Sequence, residues 1–339
     1  MRSGAKLFFA RTLTECDKFG HTRRIFLIPW DNLNIRAIVM NTKYKRSKKK
    51  VLWWSLLCIF LGLTVGGVLT NAFSDNDSPL ESTSETESAC SSDTVVSNTS
   101  SATLYYPCVI SEPLPATTLM SGNAATHQVL EWLASQMVVN GFVVLGMTPL
   151  NKFGLDSGWR NAHLSGIAKL KSLNSGSDLL KGKADLLKGK IDIDKLQLCG
   201  HSKGGGGALW AADMLGSEVK SVIAMCPWQE EFFNLSGIRA ATLIQSGGSD
   251  IYATHEMTFG EYNMITKGIS KAYFEYPDAH HFSWGILGSD SHHPAIGSDV
   301  VAWMKYYLKG DKSQRSKLSN SIGKSTHFWE DHSGGIAQQ

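Results

Sequence analysis

Two hydrophobic patterns alternate along the middle of this chain. Residues 116–121, 142–147, 196–199, 219–226, 241–246 and 271–276 are short apolar runs with few polar interruptions. Runs of that length, bounded by Gly, Pro, Asn and Asp, fit strands buried on both faces. Between and after them, Val129, Leu130, Leu133 and Met137, and later Val300, Trp303, Met304, Tyr307 and Leu308, recur at helical spacing. The regular exchange of the two periods predicts repeated βα units. The expected fold class is therefore α/β, with a mostly parallel central sheet flanked by helices, over residues 102–310.

The pattern breaks on either side of that block. Val51 to Thr70 carries no formal charge and is long enough, as a helix, to cross a hydrocarbon core of about 30 Å. Lys43, Lys45, Arg46, Lys48, Lys49 and Lys50 precede it, and Ser, Thr and acidic residues follow. By the positive-inside rule the catalytic block lies on the lumenal or extracellular side. Two readings of residues 51–70 stand: a single-pass signal-anchor that holds the protein on the membrane, or a signal peptide cleaved near Ala72, which releases a secreted enzyme. Residues 1–50 are then a cytosolic extension, or spurious if translation starts at Met40. Residues 71–101 are too poor in large apolar side chains to fold alone and are expected to form a flexible stalk carrying the sequon Asn98-Thr99-Ser100. The polar segment 311–339 is expected to be a mobile tail.

Composition adds limits. The 339 residues carry a net charge of +3, and the basic run beside the apolar segment accounts for much of the positive character. That pattern targets a membrane and offers no nucleic-acid surface. Of the cysteines beyond the apolar segment, Cys199 and Cys226 end apolar runs and read as small buried thiols. A Cys90–Cys108 bridge is compatible with the compartment, but spacing alone does not decide it. The hexapeptide DLLKGK occurs twice within Asp178–Lys190, too few copies for a repeat architecture.

The candidate chemistry begins at Gly200-His201-Ser202-Lys203-Gly204, which follows the short run Leu196–Cys199 and precedes a helical pattern over Ala208–Leu215. Strand, G-x-S-x-G and helix in that order form a nucleophile elbow: a tight turn exposes the Ser202 hydroxyl, and glycines avoid collisions with the neighbouring backbone. Neither a Gly-Lys-Ser/Thr ending nor a dinucleotide fingerprint accompanies the glycines. A serine needs a histidine base, and the base needs a carboxylate. Asp250 closes the run 241–246 and His281 follows the run 271–276, so both fall at the same sheet edge as Ser202. His280, Asp278, Asp290 and Asp299 are local rivals, Asp299 reading as support for the start of the last helix. His292-His293 and His255-Glu256 lack helical metal-ligand spacing. The chemistry calls for no metal and no cofactor.

With Ala102–Pro107, Gly141–Val144, Gly200–Gly207, Pro227-Trp228, Asp250, His281-Phe282 and Val301–Lys305 in place, the chain resembles the bacterial cutinase and polyethylene terephthalate hydrolase group of the dienelactone-hydrolase-like α/β-hydrolases. The resemblance runs from about Thr103 to Leu308. It implies an α/β-hydrolase fold with Ser202 as nucleophile, Asp250 as acid and His281 as base. It also implies an oxyanion hole from the backbone N–H groups of Lys203 and Asn123, and a substrate cleft that includes Trp228 and His201. Lys203 stands where that group usually carries Met, which places a flexible cation beside an apolar cleft. Asn123 stands where the group often carries an aromatic.

The expected activity is hydrolysis of carboxylic esters, whether small-molecule, lipid or polymer, by a serine esterase working through an acyl-enzyme. A chlorophyllase-like enzyme, a thioester or acyl-transfer enzyme with the same triad, and a non-catalytic membrane-tethered binding protein of the same fold are the alternatives.

Overall fold

The computed structural model describes the backbone of residues 12–16, 22–28 and 36–41, and then residues 89–96, 100–177, 187–231, 234–285 and 291–333. The apolar segment 51–70, the cleavage site near Ala72, the sequon at Asn98 and most of the DLLKGK pair lie outside the described residues. No helix among the described residues is long and apolar enough to cross a membrane.

Two units are present. The first contains a three-stranded antiparallel sheet of β1 (Thr12–Cys16), β2 (Thr22–Ile28) and β3 (Arg36–Asn41).

The second unit is built on a nine-stranded sheet. Its strands are β4 (Ala89–Val96), β5 (Ser100–Pro107), β6 (Leu114–Met120), β7 (Val143–Pro149), β8 (Ile191–His201), β9 (Ser221–Met225), β10 (Ala241–Gly247), β11 (Lys271–Tyr276) and β12 (Thr326–Glu330), in the order β12-β11-β10-β9-β8-β6-β7-β5-β4. The strands from β7 to β11 pair in parallel, while β4 and β5 at one edge and β12 at the other run antiparallel. The main helices are α1 (Glu131–Val138), α2 (Asp156–Ser175), α3 (Lys203–Leu215), α4 (His255–Met264) and α5 (His293–Leu308).

Apolar runs without alternation belong to strands covered on both faces, and here each face has its own cluster. Leu196 and Leu198 of β8 and Val222 and Ala224 of β9 pack with Trp159, Leu170 and Leu209 of α2 and α3. The intervening Cys199, Ile223 and Met225 point the other way, toward Leu133 and Met137 of α1 and Val300, Trp303 and Met304 of α5. The sheet thus sits between two helical layers, an arrangement that fits the α/β-hydrolase fold, and the C-terminal ends of its parallel strands gather at one edge.

Two expectations fail at the flanks. The stalk expected over 71–101 includes β4 and the start of β5, with Val96 and Ser100 buried. The polar composition of this stretch is compatible with an edge strand, because backbone hydrogen bonds to β5 hold it and a Cys90–Cys108 disulfide fastens it. The tail expected to be mobile over 311–339 is folded as far as Ser333. It packs Leu318 into the core, and β12 covers the β11 edge that would otherwise be open. Asp331 accepts hydrogen bonds from Tyr306 (2.7 Å), Tyr307 (3.2 Å) and Arg315 (2.9 Å), so the polar residues of the tail find partners on the body.

A disulfide across a loop of this length removes conformational freedom from the unfolded chain. A Cys90→Ser/Cys108→Ser variant is expected to lose about 3 kcal/mol, read as a lower urea midpoint than the oxidised parent. An unchanged midpoint would assign the hold on β4 to its backbone pairing alone.

Candidate active site

The β8 strand turns into α3 at Ser202, whose backbone sits at φ 56° and ψ −127°. A non-glycine residue there is strained and persists only when its surroundings over-determine it. They do so here. The Ser202 N–H donates to the Met225 carbonyl (2.9 Å), and its own carbonyl accepts from Gly206 (3.0 Å) and Trp228 (3.1 Å). A side chain at Gly200 would collide with the Gly204 backbone, and one at Gly204 would lie 2.6 Å from the Ser121 carbonyl oxygen.

The structure brings Ser202, His281 and Asp250 together. His281 Nε2 lies 2.9 Å from Ser202 Oγ, and His281 Nδ1 lies 2.8 Å from Asp250 Oδ2. Each comes from the C-terminal side of its strand: β8, the loop after β10, and the loop after β11. The second Asp250 oxygen accepts from the N–H groups of Tyr252 (2.8 Å) and Ala253 (2.9 Å). Burial alone would raise the Asp250 pKa. The His281 hydrogen bond and charge, the Tyr252 N–H and the Cys226 thiol outweigh it and hold the carboxyl below its usual range. Such a group is ionised at neutral pH and acts as an orienting acceptor for the imidazole N–H.

Two of the rivals have other work, and Asp290 lies outside the described residues. His280 caps the turn after it by accepting from the Phe282 N–H (3.2 Å). Asp299 lies inside α5 and not at its start, where it accepts from Tyr276 (2.8 Å) and pairs with Lys324 (3.0 Å).

The remaining expected residues divide. Asn123 is exposed, and the residue before it, Gly122, lies against Ser202: a Cβ there would stand 2.7 Å from Ser202 Oγ and 3.3 Å from Lys203 N. That loop is fixed by Ser121, whose hydroxyl donates to Thr126 (2.9 Å) and whose carbonyl accepts from Trp159 Nε1 (3.0 Å). Gly122 was not among the expected site residues, and only its place next to Asn123 marked it. Trp228 is half-buried beside the elbow. Lys203 is not the flexible cation expected. Its side chain is 4 % exposed and its ammonium donates to the Gly154 carbonyl (2.9 Å) and to Glu230 (3.2 Å).

His201 faces inward, where its Nε2 donates to the backbone carbonyl of His281 (2.8 Å) and its ring lies 4.8 Å from the His281 ring. Burial first, and then the charge of His281, push its pKa down to about 3. Cys226, at φ 41°, is fully buried, and its thiol helps to hold the Asp250 carboxyl below its usual range. His201, Cys226 and His281 offer ligand atoms within 4.8 Å of one another. Both His281 ring nitrogens are already engaged by Asp250 and Ser202, so the geometry is fitted to proton transfer.

His163, behind the elbow, lies 2.8 Å from Thr118 Oγ1 through Nδ1 and 3.0 Å from the Gly204 carbonyl through Nε2, and burial lowers its pKa to about 4. These depressed values set a pH dependence. In the unfolded chain both His163 and His201 take up protons near pH 6.5, but the folded chain resists until about 4 and 3. The unfolded state therefore binds more protons in that window, and stability present above pH 6.5 is lost as pH falls. At pH 5 the two together cost on the order of 4 kcal/mol. Urea midpoints measured at pH 7 and pH 5 read this loss, and His201→Gln, whose amide can still reach the His281 carbonyl, is expected to remove about half of it.

Comparison with known proteins adds a family. A family model described as PET hydrolase-like matches residues 70–333. Cutinase 1 of Thermobifida cellulosilytica is 29 % identical over 212 residues, covering 62 % of this chain and 74 % of that protein. A cutinase of Thermobifida fusca (strain YX) is 29 % identical over 212 residues, covering 62 % of this chain and 64 % of that protein. Bis(hydroxyethyl) terephthalate hydrolase of Streptomyces coelicolor is 27 % identical over 216 residues, with 62 % of each chain covered. The matched segment thus spans less than two thirds of the last two relatives.

Proposed function

This chain belongs to the PET hydrolase-like family, and from that premise we propose that it is a serine esterase that hydrolyses carboxylic esters through an acyl-enzyme on Ser202. The observation that carries the reading is the continuous relay from Ser202 Oγ through His281 to Asp250, with both hydrogen bonds shorter than 3.0 Å. His281 Nε2 takes the serine proton as Oγ bonds to the ester carbonyl carbon, and Asp250 stabilises the imidazolium that results. The negative charge that develops on the carbonyl oxygen is held by the N–H groups of Lys203 and Asn123. The Lys203 amide supports this assignment as the first residue of α3, where helix geometry leaves the N–H without an intrahelical acceptor. The alcohol departs with the proton from His281. Water, activated by the same imidazole, then releases the acid and regenerates Ser202.

The substrate class we infer is apolar and bulky, of the polyester or cutin-like type that the names of the relatives describe. Phe153 (68 % exposed), Ile251 (78 %) and Phe282 (50 %) support it, together with Leu150, Leu155 and Tyr252. Ile251 and Tyr252 directly follow Asp250, Phe282 directly follows His281, and the 150–155 segment carries the Gly154 carbonyl that holds Lys203. Large apolar side chains left in water around one site mark a docking surface. The Cys90–Cys108 disulfide supports an oxidising compartment for the catalytic domain. In this reading residues 51–70 deliver the domain there, as an anchor or as a leader cleaved near Ala72.

The test is hydrolysis of p-nitrophenyl butyrate by the second unit, residues 82–339. Ser202→Ala is expected to lower kcat/KM by about 10⁴-fold or more with an unchanged circular dichroism spectrum. Retained activity in that variant, or a folded parent inactive on every acyl length tried, would sink the proposal. Gly122→Ala, which forces a methyl group against the nucleophile, is expected to lower kcat by at least about 10²-fold on the same substrate.

A further inference from the structure

An ammonium withdrawn from water costs several kcal/mol unless charged and polar partners replace its hydration. Lys203 has such a set. Besides its hydrogen bonds to Gly154 and Glu230, its Nζ lies 3.8 Å from Asp156 Oδ1 and 5.2 Å from the ring centroids of both Trp159 and Trp228. Asp156 is fully buried, and its Oδ1 has no hydrogen-bond donor among the described residues, so the ammonium is the cation facing it. Its Oδ2 accepts from the N–H groups of Glu230 and Glu231. Glu231 in turn accepts from the N–H of Ser157 at the start of α2 (2.9 Å).

These contacts tie three separate pieces of chain to one atom. They are the first turn of α3, directly after Ser202; the 150–156 segment leading into α2; and residues 226–231, which carry Trp228. The 150–156 segment meets the elbow at the Gly154 carbonyl and the 226–231 segment at the Trp228 N–H, and neither belongs to a sheet strand over those residues. The Trp228 backbone is anchored to Ser202 through its N–H, and the ammonium lies over its ring.

We propose that the Lys203 side chain is a positioning residue: its ammonium clamps the Trp228 wall and the 150–156 wall onto the nucleophile, and so sets the preference for large, flat acyl groups over small ones. The inference rests on the esterase reading of Ser202. It concerns the side chain, not the backbone amide assigned to the oxyanion. A small acyl group needs the nucleophile and the oxyanion donors, whereas an aromatic acyl group also needs both walls in register, so loosening the clamp penalises the aromatic ester selectively.

The test compares p-nitrophenyl benzoate with p-nitrophenyl acetate, which share a leaving group and differ in acyl group. In Lys203→Met the benzoate-to-acetate ratio of kcat/KM is expected to fall about tenfold, mainly through a higher KM for benzoate. Lys203→Met/Asp156→Asn also removes the buried carboxylate charge while keeping an acceptor for the Glu230 and Glu231 amides. It is expected to recover thermal stability but not the ratio, because Gly154 and Glu230 still lack their shared donor. Should Lys203→Met fail to fold, Glu230→Ala at the exposed end of the clamp decides the matter, with a ratio lowered several-fold. Ratios equal to the parent in the variants that fold, or a ratio restored together with stability in the double variant, would overturn the proposal. A parent inactive on both esters would instead overturn the esterase reading.

Discussion

The left-handed backbone of Ser202 is the constraint on which the rest of the site depends. Its strain is tolerable because the carbonyl of Met225, the amides of Gly206 and Trp228, and the close approach of Gly200 to Gly204 leave the chain no alternative path. Trp228 comes from the loop that follows β9, and the other partners from β8, β9 and α3. The parallel sheet is therefore the device that holds one serine in a conformation it would not adopt in a peptide. Ala124 (φ 63°) and Cys226 (φ 41°) are the other non-glycine residues with positive φ among the described residues, and both flank the same site. One lies just past the Gly122–Asn123 loop and the other beside Asp250.

Around that turn the protein buries ionisable groups in two different ways. His163 and His201 are kept neutral, so that His163 joins Thr118 to the Gly204 carbonyl and His201 donates to the His281 carbonyl without adding charge. Lys203, Asp156 and Glu230 are grouped so that a buried cation faces carboxylates, and their hydrogen bonds run to backbone groups of segments that lack sheet pairing. Neutral burial fixes His281 and the start of α3, and paired burial fixes the 150–156 and 226–231 segments. The site is stiff for electrostatic reasons as much as for packing ones.

The sheet edges show a second economy. Parallel sheets need their edges closed, and this one is closed by strands from segments that composition marks as polar: β4 on one side, β12 on the other. At β4 a disulfide supplements the backbone pairing, and at β12 the carboxylate of Asp331 gathers two tyrosines and an arginine. Polar stretches of this kind are indistinguishable from disordered ones by composition, because what orders them is the edge they meet.

Sequence alone determined what local chemistry dictates. The uninterrupted apolar runs marked all six parallel strands from β6 to β11, since burial on both faces leaves no room for alternation. The G-x-S-x-G turn between a strand and a helix marked Ser202. The order of Ser202, Asp250 and His281, each at the end of an apolar run, marked the residues that the sheet edge then gathers. What only the tertiary structure decided were relations between residues far apart in the chain. These include the pairing of Cys90 with Cys108, the folding of Arg315–Ser333 onto β11, and the inward turn of His201 to the His281 carbonyl. The same holds for the capture of Lys203, which as a residue type reads as a solvated cation. It is buried only because Asp156 and Glu230, from two other segments, surround it with charge and hydrogen-bond acceptors that one-dimensional spacing does not reveal.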